Sequence, residues 1–516
     1  MKIISGLFIF FLCLSGYLFG QSKPRIDSLN NVLQTDITSN QKVDAYNALA
    51  KEYFRKDSAK TVHYTNLSIK LSTKNNYAKG LANAYYILGY ADALRKNYNE
   101  AIPLLEKALG IAQKSNNLEQ QTKVYQALGM TYRRQSKYVK AVNFYQKALE
   151  YANKLGDENL IGDLNHAVGL LYYYKGDYLP SLKYYQKALD IRKAKEDSKS
   201  LAKTYNNVGL VYYEQGKYPE AIKSYQASMN IKEALGDKKG VSYTYHNIGG
   251  IYLNQGDYPK ALDNFFKALK LEQKLGSKED IADTYIAIGL VYERQDKPEK
   301  ALQYFQKSLA TYKQTDSKQG LLNAYSNIGG IYKSINDDVK AQEYYEKVQT
   351  LAQETGAQDF LAHALHKLGD LSLKKKKYTK SAKLLGKAYQ LAKEMGHQVT
   401  ITQVELSLGV MAYQQKQYGV AITYLNLALK NAQKIKYLET IKDAYENLTL
   451  VYEAQGQLGK ALASHRMYKQ IADSLLNKEN VKKITRLEAQ YEFDKKEDSL
   501  KLSQNKERQF FKADTE

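Results

Sequence analysis

Residues Asn206–Ser228 read "NNVGLVYYEQGKYPEAIKSYQAS". Forty residues later the chain reads "HNIGGIYLNQGDYPKALDNFFKA" (His246–Ala268), and forty later again "IAIGLVYERQDKPEKALQYFQKS" (Ile286–Ser308). In the first copy Tyr205, Val208, Gly209 and Tyr212 fall at i, i+3, i+4 and i+7, the spacing that sets side chains on one face of an α-helix. Ala221, Tyr225 and Ser228 share the face of a second helix. Between them lies "EQGKYPE", where Gly216 can turn left-handed and Pro219 enters the next helix in its first turn, where a missing N–H costs nothing. The unit is a helical hairpin.

Its anchor glycine recurs at Gly89, Gly129, Gly169, Gly209, Gly249, Gly289, Gly329, Gly369 and Gly409, at a spacing of 40. Thr449 continues the series and Ala50, one residue out of step, begins it, giving about eleven copies between residues 42 and 473. Gly156, Gly236, Gly276, Gly356 and Gly396 close their units as left-handed caps of the second helix. A glycine inside a helix costs about 1 kcal/mol relative to alanine, so the anchor implies close approach of the two helices near Ala221, Ala261 or Ala301, with Tyr225 or Phe265 filling the adjoining space. One hairpin cannot bury its apolar faces alone, so each must stack on the next, as in a solenoid.

A small residue, tyrosine three on, alanine twelve on, an aromatic sixteen on and alanine nineteen on are clearest at Gly129, Tyr132, Ala141, Tyr145 and Ala148, and again at Gly249, Tyr252, Ala261, Phe265 and Ala268. The pattern resembles the tetratricopeptide repeat family in a 40-residue form with extended helices. The resemblance implies an all-α fold, a right-handed α-solenoid of about eleven hairpins with an extended C-terminal helix. The outer units depart from the pattern: Ala50 and a shortened turn in the first, Ser372 and Leu385 in the ninth, Thr449 and His465 in the last. The domain reading is a signal peptide at 1–20, a lead-in at 21–41, the array at 42–473 and a charged connector at 474–516.

Apolar residues make up 44% and charged residues 25%, and 47 tyrosines with no tryptophan and 6 prolines suit long uninterrupted helices. The formal charge of +22 invites a nucleic-acid reading. The lysines are spread through every unit, however, as in "KKKK" at 374–377, and read as solvated surface, so no nucleic-acid partner is expected. "MKIISGLFIFFLCLSGYLFG" reads as a secretory signal cut before Gln21, which predicts export to the periplasm or cell envelope. The run from Ile3 to Phe19 is also nearly long enough for an uncleaved anchor. Cys13 lies inside it, so the mature chain would carry no thiol. No nucleophile elbow, phosphate loop, HExxH or cysteine site is found, and neither catalysis nor a cofactor is expected.

His363, His366 and Asp370 share a helix face at i, i+3 and i+7 and could ligate zinc or nickel, but Gln403 and Leu406 occupy the matching positions of the next unit, so two neutral or solvated histidines are the favoured reading and no metal is expected. The family resemblance implies a concave groove lined by the first helices, with offsets six, three and two before the anchor and one, four and five after it facing in. Asn207, Asn247, Asn327 and Asn447 lie two before the anchor, joined by Asn206 and His246 three before. Tyr173, Tyr213 and Arg133 lie four after it, and Arg294 five after. A row of amides can clamp the backbone of an extended protein or peptide, or bond to the next helix and hold the stack. Arginines suit a carboxylate and tyrosines give rigid contact area. After the array, "ADSL" and "ITRLEAQYEFDKK" resemble the connector of exported bacterial sensors that leads to a membrane span and a histidine kinase or regulator. Two functions follow: an envelope scaffold binding peptide or protein, or the sensory half of a signalling system. In the second, a homodimer through the C-terminal helix would act on a membrane signalling partner.

Overall fold

A computed structural model describes residues 22–474. Among them every element is a helix or a turn, with no strand. A helix over Ser22–Leu33 occupies the expected lead-in, and eleven hairpins follow, from the helix Ser39–Tyr53 to a last helix at 458–474. In each unit the helix bearing the anchor is helix A and its partner helix B; for Gly209 these are Ser198–Glu214 and Tyr218–Ala234. The expected signal segment and almost all of the C-terminal connector lie outside the described residues.

Left-handed residues punctuate the chain seven and twenty-seven positions after each anchor. Glycine supplies some, such as Gly216 (φ 73°) and Gly236 (φ 68°). Elsewhere Lys376, Glu196, Ser136 and Asn116 adopt the same conformation, at a cost of about 1–2 kcal/mol for a residue with a Cβ. Turn position is therefore held by the stack even where the local residue resists it. The first turn is longer by one than its counterparts, 54–57 against 95–97, and not shortened as expected.

At Gly129, Gly169, Gly209, Gly249, Gly289 and Gly329 the space of a side chain is taken by the aromatic ring sixteen residues on, and at Gly369 and Gly409 by Leu385 and Leu425, rather than by the alanine twelve on. A Cβ on Gly209 would lie 2.7 Å from Tyr225 Cε1, and one on Gly289 would lie 2.4 Å from Phe305 Cε1. At Gly89 the Ala101 carbonyl oxygen, Leu104 Cβ and Leu105 Cγ all lie at 3.0 Å. The first unit trades the arrangement: the in-phase residue is Leu49, fully buried, and sixteen on stands Thr65 instead of a ring. Ala50, the expected anchor, is buried beside it.

A second repeated pattern explains the abundance of tyrosine and lysine. In the Gly129, Gly289 and Gly329 units, aromatics four before, three after and fifteen after the anchor cluster where helices A and B meet solvent, and lysines eleven and eighteen after it lie over them. Tyr132 stacks on Phe144 at 5.3 Å with Lys140 and Lys147 over Tyr132 and Tyr125; Tyr292 stacks on Tyr304 at 5.5 Å with Lys300 and Lys307 above. The lysine stems shield rings that would otherwise be half wet, and each ammonium gains a cation–π contact of about 0.5–1 kcal/mol.

The described residues divide into two compact units, 22–237 with five hairpins and 238–474 with six. Within each, most A helices touch the next A helix as well as their own B helices, so A and B helices form separate layers. No helix among the described residues is long and apolar enough to cross a membrane.

Candidate ligand groove

In the first unit the A-helix layer carries Arg133, Tyr173, Asn206, Asn207 and Tyr213. Tyr174 stacks on Tyr138 (5.5 Å, 16°) and meets Tyr173 at 5.6 Å. Burial pushes the Tyr174 hydroxyl up to about 12, against the pull of the nearby Arg133 guanidinium. Tyr173 is raised by burial and then by Glu214, Tyr178 and Tyr213. The Nε of Arg133 is buried without a hydrogen-bond partner. The structure thus gathers Arg133, Tyr138, Tyr173, Tyr174, Tyr213 and Glu214. The sequence reading found three of these. Tyr174 and Glu214 lie five after their anchors, an offset it filled only with Arg294, and Tyr138 comes from the start of a helix B.

Asn207 bonds the stack: its Nδ2 lies 3.2 Å from His166 Nε2 on the preceding A helix. His166 Nδ1 is 3.1 Å from both Thr204 Oγ1 and Arg192 Nη1. Arg192, only 5% exposed, also donates to Thr204, to the Ser200 carbonyl at 3.0 Å and to Asp163 at 2.7 Å. Asn447 likewise gives its amide to its own helix, at the Asp443 carbonyl. Burial holds His166 well below the ordinary histidine range.

In the second unit His246 does not reach the groove, contrary to expectation. Its ring lies edge-on to Phe265 at 5.1 Å, 5% exposed, and Nε2 is 2.9 Å from Thr284 Oγ1. Thr284 donates to Glu272 at 2.7 Å and Ser242 donates to the other carboxylate oxygen. Glu272 is 1% exposed, and burial raises its carboxyl to about 7. Arg192 and Glu272 occupy equivalent positions, twenty-three after their anchors, where Ala152 and Ala352 stand elsewhere. Asn247 and Asn327 are half-buried and Arg294 is exposed.

His363, His366 and Asp370 join helices. Ser407 donates to Asp370 at 2.6 Å and lies 3.2 Å from His366 Nε2, which is 3.4 Å from the Asp370 carboxylate. His363 packs edge-on against Tyr345, 3.5 Å from Ser326. Burial lowers the two histidines to about 3 and about 4. Among the described residues no group of three His, Cys, Asp or Glu side chains is placed to hold a metal ion.

Family models described as tetratricopeptide repeat match residues 80–154, 160–234, 240–314 and 322–355, together just over half of the chain. The chain belongs to the tetratricopeptide repeat family. No curated protein matches it in sequence. Similar solved structures include the apo quorum sensor NprR from B. thuringiensis, at 15% identity over 71% of this chain and 99% of that one, TM-score 0.46. A signal transduction ATPase with a tetratricopeptide repeat sensor from Pyrococcus horikoshii shows 17% identity over 66% and 52%, TM-score 0.48, and yeast Tom70 shows 16% over 84% and 92%, TM-score 0.44. Neither their ligands nor their activities transfer at such identities.

Proposed function

We propose that this tetratricopeptide chain is a non-enzymatic scaffold that holds an extended protein or peptide segment against the A-helix layer of its first unit. The observation that carries the reading is the buried, unpaired Nε of Arg133 among Tyr138, Tyr173 and Tyr174. A carboxylate of the bound segment would complete that guanidinium by a charge-assisted bond, while the rigid rings supply contact area. Asn207 is assigned to the stack, and Asn247 and Asn327 belong to the A-helix layer of the second unit, outside this proposal. A pull-down from envelope extract with the mature chain identifies the partner. Arg133→Met with Tyr173→Ala is then expected to weaken its binding more than about tenfold and to flatten its salt dependence. Unchanged binding by that folded variant would move the site off this face.

The amino-terminal sequence supports export to the cell envelope. Mass spectrometry of the native protein is expected to find Gln21 or a neighbour as the mature N-terminus, whereas intact Met1 with membrane retention would mean an anchor. The alternative, a sensory half acting through residues 475–516 on a separate kinase or regulator, draws on the sequence "ITRLEAQYEFDKK". A kinase or regulator gene directly downstream would favour it.

A further inference from the structure

Several units lack part of the tyrosine–lysine pattern, and one of them has lost the rings while keeping both lysines. In the Gly369 unit the aromatic positions hold Leu365, Ser372 and Leu384, yet the lysines that would cover them remain as Lys380 and Lys387. In the Gly249 and Gly329 units the second of these lysines pairs with an acid four residues earlier, Lys267 with Asp263 and Lys347 with Glu343. Here that residue is Lys383. Helix B of this unit, Tyr378–Glu394, therefore exposes Lys380, Lys383 and Lys387 along one face, and among the described residues none of them makes an ion pair or a cation–π contact.

Beside that face is a hollow of about 440 Å³, lined among others by Ala382, Gly386, Tyr389, Met411, Ala412 and Tyr424. Its space comes from three truncations. Ala382 stands where other units have Val142 or Leu302, Gly386 where they have Gln146 or Gln306, and Ala412 where they have Tyr172 or Tyr292. In the intact version Gln146 reaches the hydroxyl of Tyr184 in the next unit at 3.4 Å, and Tyr172 stacks on that ring at 5.6 Å. Tyr424 is the counterpart of Tyr184, and both of its partners have been removed: one is Gly386, the other Ala412.

We propose that this hollow and its lysine rim, built by helix B of the Gly369 unit and both helices of the Gly409 unit, form a second binding site for an acidic peptide segment carrying one aromatic side chain. The aromatic group takes the place of the missing tyrosine against Tyr424 and Tyr389. The flanking carboxylates meet Lys380, Lys383 and Lys387, which have no counter-charge of their own. Neither feature alone selects this ligand: the hollow is apolar, the rim is cationic, and an acidic peptide with an aromatic anchor complements both.

The test uses the full chain and a fluorescein-labelled peptide of aspartate and glutamate with one central phenylalanine, followed by anisotropy. Exchanging that phenylalanine for serine is expected to weaken binding about tenfold or more, since a buried aromatic anchor carries most of such an interaction. Gly386→Gln and, separately, Ala412→Tyr restore the residues other units carry and are expected to abolish the phenylalanine preference. A Cβ at Gly386 meets nothing within 4 Å, so Gly386→Gln folds without strain and its Tm holds or rises. Lys383→Glu with Lys387→Glu is expected to remove binding at moderate salt. Three results would overturn the proposal: equal affinity for the serine peptide, undiminished binding by Gly386→Gln, or loss of binding on Arg133→Met, which lies in the first compact unit. Decanoate displacing the peptide while the serine and phenylalanine peptides bind alike would make the hollow a lipid site instead.

Discussion

Gly289→Val is expected to destabilise its unit by about 3 kcal/mol, the upper end for overpacking. The first carbon of the new side chain would already lie 2.4 Å from Phe305 Cε1, and Phe305 is fully buried with nowhere to turn. Because hairpins of a repeat array exchange stability with their neighbours, the loss should appear as faster amide exchange in the Gly249 and Gly329 units as well as in a lower Tm. A graded series separates the ring from other causes. Alanine substitution should harm most at Gly289 and less at Gly209 (2.7 Å) and Gly329 (3.1 Å). At Gly110, where nothing lies within 4 Å, alanine should instead stabilise by about 1 kcal/mol through helix propensity. Leu49 with Thr65, and Thr449 with His465, show that the chain itself trades bulk between these two positions. Phe305→Thr should accordingly recover part of the Gly289→Val loss, a non-additive result. A series that ignored the contact distances would remove the ring as the reason for the anchor.

That the hairpins could be read from the sequence follows from the same contact. A glycine tolerated inside a helix because an aromatic ring sixteen residues on occupies its space leaves a paired signal, repeated at a fixed period, that needs no other protein for comparison. The caps were legible for a similar reason at Gly156 and Gly276, but Glu196 and Lys376 take the same left-handed conformation with nothing in their side chains to announce it. There the stack on either side fixes the turn, and local chemistry is silent.

The candidate groove was less legible because helix offsets say which way a side chain leaves its helix but not what it meets. Asn207 and His246 share the offsets of groove residues, yet each finds a partner on a neighbouring helix, His166 for one and Thr284 for the other. Tyr138 could not be found from helix A offsets at all, since it reaches the site from a helix B. The broken unit at Gly369 was visible as Ser372 and Leu385, but the consequence, a hollow beside unpaired lysines, required knowing that tyrosine and lysine cover each other elsewhere.

Glu272→Gln is expected to stabilise the protein by about 2–3 kcal/mol at pH 8 and by almost nothing at pH 4.5. Glu272 is buried, and burial raises its carboxyl from 4.5 to about 7; the Ser242 and Thr284 hydroxyls lower it and the nearby Asp280 and Asp283 raise it further. A folded state that holds this proton when the unfolded chain has released it loses stability as pH rises from about 4.5 to 7, and stays at the lower value above. Glutamine imitates the protonated acid, so its advantage grows over that same window. The hydroxyls can adjust: Thr284 has one proton, and when it goes to Glu272 the oxygen accepts from His246 Nε2–H, while Ser242 can rotate to accept from the new amide. Buried histidines act in the opposite sense. His246 and His366 are held near 4, His363 near 3 and His166 well below its ordinary value. The unfolded chain gains their protons first as pH drops below 6.5, so the wild-type protein should lose stability in acid even though Glu272 favours it there. Subtracting the wild-type melting curve from that of Glu272→Gln cancels the histidines and leaves the carboxyl. Arg192, at the same position in the Gly169 unit, keeps its charge throughout, but it also helps to hold His166 below its ordinary range, so Arg192→Met should cost less at pH 5 than at pH 8. A pH-independent difference for Glu272→Gln would mean that Glu272 is ionised throughout and that burial does not hold its proton.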